Sequence, residues 1–257
     1  MKKTINQTTH EERRIAGGRR ITLDFRADGE QVPGILMLPE ATRPAPAALM
    51  LHGYSSRKED MADGIGPALL ERGIASLSID LPLHGTRYDP LQAQSMRNPL
   101  AIHRHWQTGM KDTRLALRYL AARTEVDRER IALVGYSMGS FLGVIVAADE
   151  PLVRAVVLAA GGDLPSGTPF AGIARAVADP VRAVRKLAGR PLLISHGRRD
   201  RTVLPEQAQR LFDAAGEPKE IRWWDSGHYL PHAALDHAAR WLATHLSLDP
   251  SAEQRSA

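Results

Sequence analysis

Six short runs, separated by stretches of helical character, limit what this chain can fold into more than any other feature. They cover residues 47–51, 75–79, 131–134, 155–158, 191–195 and 220–224, and the middle ones are almost wholly apolar. Strands buried on both faces have that composition. Helix-forming segments at 66–72, 103–123, 138–148, 206–215 and 232–245 complete the alternation. Strands that alternate with crossover helices make a mostly parallel sheet covered on both faces. Residues 20–25 and 34–38 flank Asp28-Gly29, a strong turn dipeptide, and read as an antiparallel hairpin at one edge. The expected fold class is therefore α/β, with eight strands, mostly parallel, flanked by helices.

Residues 19–248 form the expected domain, with 1–18 a polar, loosely held arm and 249–257 a frayed tail. Residues 161–189 exceed the usual link between two such strands. They read as a small helical cap between strands 6 and 7, draped over the strand ends and broken at Pro180.

The 257 residues, 43% hydrophobic and 25% charged, suffice for one α/β domain with a sizeable core. The net charge of +5 is spread over short clusters such as Arg13-Arg14 and Arg198-Arg199. No basic run is interleaved with aromatics, so no nucleic-acid partner is expected. The absence of cysteine removes disulfides, thiolate metal sites and a cysteine nucleophile together. Met1-Lys2-Lys3 opens like a signal peptide, but the following residues are polar. No apolar run approaches a membrane span. A cytoplasmic location without a membrane partner is the expectation.

Chemistry concentrates at the carboxyl ends of the strands. Gly135-Tyr136-Ser137-Met138-Gly139 matches G-x-S-x-G directly after an apolar run and directly before a helix. A serine at such a turn adopts a strained backbone and exposes its hydroxyl above the sheet, while the glycines permit close approach of strand and helix. A serine hydroxyl needs a base, and the base needs an orienting carboxylate. Asp200 follows the run at 191–195, and His228 follows the run at 220–224, so both fall at the edge that holds Ser137. Asp163 is the competing acid, and Asp225 lies too near His228 in sequence to be favoured. His232, His237 and His245 lie on a helix and are weaker bases. The oxyanion that develops during acyl transfer requires placed N–H donors. Met138 N–H, at the positive end of a helix, is one, and Tyr54 N–H, in the loop after residues 47–51, is the other.

His84 and Arg87 also fall at this edge, where structural hydrogen bonding around Asp80 is preferred to substrate contact. Arg57 and Lys58 read as a solvated loop pair. Trp223 and Trp224 point to opposite sheet faces and serve packing. No metal-ligand spacing, phosphate loop or dinucleotide fingerprint occurs, so neither a cofactor nor a metal is expected.

These residues resemble the α/β-hydrolase superfamily and, within it, the dienelactone-hydrolase-like serine esterases. The resemblance spans roughly residues 20–246 and rests on Leu51-His52-Gly53-Tyr54, Asp80 through Arg87, Gly135 to Gly139, His196-Gly197 through Asp200 to Pro205, and Gly227-His228. It implies catalytic Ser137, Asp200 and His228, with Tyr54 and Met138 forming the oxyanion hole. Dienelactone hydrolases proper carry a cysteine nucleophile. The serine here points away from dienelactones and toward a carboxylesterase of small or medium acyl esters. A peptidase or amidase on the same triad, or a hydrolase-fold binding protein, are the alternatives.

Overall fold

The computed structural model describes residues 5–26, 29, 31–94, 98–165 and 178–247. Its single sheet is built from β1 (Asn6–Ile15), β2 (Gly18–Arg26), β3 (Val32–Pro39), β4 (Ala45–Leu51), β5 (Ala75–Ile79), β6 (Val126–Tyr136), β7 (Val153–Ala159), β8 (Leu192–Gly197) and β9 (Lys219–Trp224). Their order across the sheet is β1-β2-β3-β5-β4-β6-β7-β8-β9. From β5 to β9 every neighbouring pair is parallel, and β1, β2 and β3 add an antiparallel margin. The chain leaves β4 in one direction to reach β5 and later passes to the other side of β4 to form β6. Open α/β sheets bind ligands at such a reversal, outside the carboxyl ends of the strands.

The central strands are apolar because both of their faces are covered. Leu49, Met50, Leu51, Leu77, Leu133 and Val156 are fully buried. Side chains of this kind contribute about 2 kcal/mol each relative to exposure. One face packs on α4 (Pro99–Ala121), which follows the short α3 (Pro90–Gln94), and on α5 (Met138–Asp149), the other on α1 (Lys58–Gly64), α2 (Gly66–Leu70) and the C-terminal helix (His232–Leu246). Glycine lets α5 approach. A Cβ on Gly139 would lie 2.2 Å from Leu51 O, and one on Gly135 would lie 2.4 Å from Gly139 O.

One expectation is corrected. The sheet has nine strands, because residues 6–15 are not a loose arm but a strand paired with β2, with a register shift between Thr9 and Glu11. Almost every side chain of β1 is exposed. No apolar alternation therefore marks it, and its order comes from main-chain hydrogen bonds, which carry no side-chain signature. The Tyr119 hydroxyl donates to Gln7 Oε1 at 2.6 Å and ties the strand to α4.

The expected cap is described only in part. Residues 166–177 of it lie outside the described residues. The part that is described forms α6 (Pro180–Arg185), which packs against α5 and against α7 (Pro205–Ala214) and buries Ala183 and Val184 in the main core. It belongs to the helix layer beside the sheet. Pro180 begins this helix, with Asp179 Oδ1 accepting the N–H groups of Val181 and Arg182.

Candidate active site

Ser137 closes β6 and caps α5 with φ 50° and ψ −113°, a conformation that L-residues avoid. The turn is held from both sides. Ser137 N–H donates to Ala159 O at 2.8 Å, and Ser140 Oγ lies 2.7 Å from Gly135 O and 2.8 Å from Ala159 O. The strain is thus imposed by hydrogen bonds from β6 and β7, which the hydroxyl of Ser137 itself does not join.

That hydroxyl meets His228 instead. Ser137 Oγ is 2.9 Å from His228 Nε2, and His228 Nδ1 is 2.8 Å from Asp200 Oδ2. A carboxylate only accepts, so Nδ1 carries the imidazole proton and Nε2 is left to accept from the serine. Asp200 is 2% exposed, and its other oxygen, Oδ1, accepts Thr202 N–H at 2.8 Å and Val203 N–H at 3.1 Å. The carboxylate is therefore fixed before it orients the histidine. The structure brings Ser137, His228 and Asp200 together from β6, β9 and β8.

The competing residues lie elsewhere. Asp163 is buried, but its carboxylate pairs with Arg210 Nε at 3.1 Å and accepts Leu164 N–H. Asp225 is exposed and pairs with Arg199. His237 faces Glu220, and His245 stacks on Trp241.

Tyr54 and Met138 flank the serine. The loop after β4 lies against the nucleophile: a Cβ on Gly53 would sit 3.4 Å from Ser137 Cβ. Met138 begins α5, where N–H groups are unpaired by the helix. Asp80 is fully buried in a web of hydrogen bonds. Its carboxylate accepts from Lys58 N and Nζ and from Thr86 N and Oγ1, all within 2.9 Å. Burial alone would raise the Asp80 carboxyl, but those donors hold it below the usual range. Arg87 pairs with Asp112 at 2.6 Å. Lys58 is corrected: it is no solvated loop residue but is 2% exposed, its charge matched by Asp80. Trp224 Nε1–H donates to Ser195 Oγ, and Trp223 meets the His196 ring edge-on.

Three functional contacts carry no sequence signal of their own. His52 is fully buried; its Nδ1–H donates to Gly53 O at 2.7 Å and its Nε2 accepts Leu81 N–H at 3.1 Å. Only the neutral ring can do both, and burial lowers its pKa accordingly. His196, equally buried, donates from Nε2 to Val203 O at 2.9 Å beside Asp200, and burial again lowers its pKa. Tyr136 donates its hydroxyl to His228 O at 2.6 Å and accepts Leu230 N–H at 3.2 Å. The residue before the nucleophile thereby holds the loop that carries the base.

A strained serine on a strand-to-helix turn above a mostly parallel sheet is the arrangement of the α/β hydrolases. Residues 32–229 match the Dienelactone hydrolase family, and the chain belongs to it as an esterase-type hydrolase. It is 24% identical over 236 residues to the Escherichia coli (strain K12) esterase YjfP, covering 79% of this chain and 90% of that protein. Among solved structures, a cold-adapted esterase from an Arctic intertidal metagenomic library superposes with a TM-score of 0.73 at 22% identity, covering 93% of this chain and 98% of that one. Acetyl xylan esterase 1 from Thermoanaerobacterium sp. JW/SL YS485 gives 0.74 at 17% identity, over 96% and 89%. At these identities the solved structures speak for the fold. Among the described residues no helix is long and apolar enough to cross a membrane.

Proposed function

We propose that this protein is a serine carboxylesterase acting on small or medium acyl esters through an acyl-serine intermediate. The observation that carries the reading is the continuous chain Ser137 Oγ–His228 Nε2 at 2.9 Å and His228 Nδ1–Asp200 Oδ2 at 2.8 Å. In this reading His228 takes the Ser137 proton as Oγ attacks the ester carbonyl, and Asp200 stabilises the imidazolium and its orientation. The N–H groups of Tyr54 and Met138 receive the developing oxyanion, each worth about 10²–10³ in turnover. His228 then protonates the departing alcohol, and water, activated by the same histidine, releases the acid and restores Ser137.

Hydrolysis of p-nitrophenyl acetate, butyrate and octanoate by the wild type and by Ser137→Ala tests this. Turnover should fall by about 10⁴-fold or more in the variant. Equal activity in both proteins would remove Ser137 as nucleophile. No turnover by the wild type would move the substrate to an amide or leave a binding role.

A further inference from the structure

Two cavities open on either side of the nucleophile, and their linings differ in one chemically decisive respect. The smaller, about 400 Å³, includes Ser137 and His228 and continues over Leu230 and Leu235. The larger, about 710 Å³, begins at Met138 and runs between the loop after β5 and α4, over Leu81, Ile102, Trp106 and Leu142. Neither Ser137 nor His228 lines it. The two share Tyr54, Ser55, Ser56 and Asp60, so the loop after β4 and the start of α1 border both.

We propose that the larger cavity receives the acyl chain of the ester and the smaller one the alcohol, so that the loop after β5 and α4 set acyl specificity. The inference rests on the acyl-serine reading above. Attack forms the Ser137 Oγ–carbon bond and makes a tetrahedral carbon with four substituents. Breaking the bond to the alcohol requires a proton on the departing oxygen, and that proton is the one His228 took from Ser137. The departing oxygen must therefore face His228 Nε2, which places the alcohol in the cavity that His228 lines. The carbonyl oxygen faces the N–H groups of Tyr54 and Met138. One substituent remains, and the space beyond Met138 that His228 does not reach is the larger cavity. Water later forms its own bond to the acyl carbon, the carbon–Oγ bond breaks, and the proton returns through His228 to Ser137.

The lining fits an acyl chain longer than acetyl. Ile102, Trp106 and Gly109 recur at helical spacing along one side of the amino-terminal half of α4 and all face the cavity. The other half of that helix is ordinary core, with Leu115, Leu117 and Leu120 buried. A volume in this range accommodates a drug-sized ligand, and the apolar wall is bordered by Arg57, Asp60, His84 and His105. His84 lines the cavity while its Nδ1–H is held by Pro82 O at 2.8 Å, so the ring is positioned rather than loose.

The test fills each cavity from its less buried side. Ile102→Trp and Ala93→Trp narrow the larger cavity, and Leu235→Trp narrows the smaller. For each folded protein, kcat/KM is measured for p-nitrophenyl acetate and octanoate, and for methyl and benzyl acetate. Both variants of the larger cavity should lower the octanoate-to-acetate ratio by about tenfold and leave the benzyl-to-methyl ratio in place. Leu235→Trp should do the reverse. A benzyl-to-methyl ratio that falls with Ile102→Trp or Ala93→Trp, or an octanoate-to-acetate ratio that moves with neither, overturns the assignment while Ser137-dependent turnover leaves the esterase reading intact. Absence of Ser137-dependent turnover overturns both.

Discussion

The two edges of the parallel sheet treat backbone strain in opposite ways. Among the described residues, the non-glycine positions with positive φ are Ser55, Leu83, Ser137 and Ala160. They follow β4, β5, β6 and β7 at the carboxyl edge, one after each of four neighbouring strands. At the opposite edge, Gly73 before β5 and Gly189 before β8 take the left-handed positions, and a Cβ on either would meet nothing within 4 Å. There the turn is made by the residue that tolerates it. At the carboxyl edge each exception costs about 1–3 kcal/mol and persists because the surroundings dictate it. Four buried ionisable side chains, His52, Asp80, His196 and Asp200, also lie at the carboxyl edge. The edge that carries the chemistry is the one where local preference is overridden by packing and hydrogen bonds.

Substitutions at matched glycines should break this contrast most clearly. Gly139→Ala drives a Cβ to 2.2 Å from Leu51 O, and neither backbone can yield without moving the nucleophile. It should cost about 3 kcal/mol or more and abolish activity. Gly189→Ala has open space and only the φ of 84° against it, so about 1 kcal/mol and unchanged turnover are expected. Urea midpoints and initial rates on both variants measure the difference. Equal losses would show that the two edges are alike.

Tyr136→Phe comes next. It removes a hydroxyl that bonds His228 O and Leu230 N–H but leaves the ring in place. The expected outcome is a fall of about tenfold in kcat with little change in KM, as a loosened base requires. A fall confined to KM would exclude a positioning role.

A smaller effect is expected from pH. His52 and His196 have folded-state pKa values below the ordinary 6.5, so the unfolded chain binds their protons more readily. Their contribution to stability is complete above that value and declines as the pH falls below it. The depressed Asp80 carboxyl adds a further loss at pH values below its usual 3.8. The urea midpoint should therefore drop between pH 8 and pH 5, and His196→Gln should shrink the drop. A midpoint that is the same at both pH values would contradict burial of neutral rings.

The proposed triad was legible because each member sits in a local pattern that follows a strand. Ser137 lies between glycines, Asp200 follows His196-Gly197, and His228 follows Gly227. The contacts that support them were not legible. Tyr136 reaches His228 across 92 positions, and His52 reaches Leu81 across 29. Neither spacing repeats with a helix or strand period, so nothing local announces the partner. Lys58 carries no local sign of burial for the same reason, since a lysine beside an arginine in a loop resembles a solvated pair until Asp80 is folded beneath it. The sequence does not mark β1, because pairing through the main chain leaves its polar side chains unconstrained.

The sequence by itself determined the alternation of strands and helices, the parallel sheet and the edge at which Ser137, Asp200 and His228 would emerge. Those features follow from local periodicity and from turn chemistry, which act over a few residues. Only the tertiary structure decided which buried histidines stay neutral, how β1 joins the sheet, that α6 lies beside the sheet, and that two cavities border the loop at Tyr54. Each of these depends on groups far apart in the chain whose hydrogen bonds and desolvation exist only once the strands are in register.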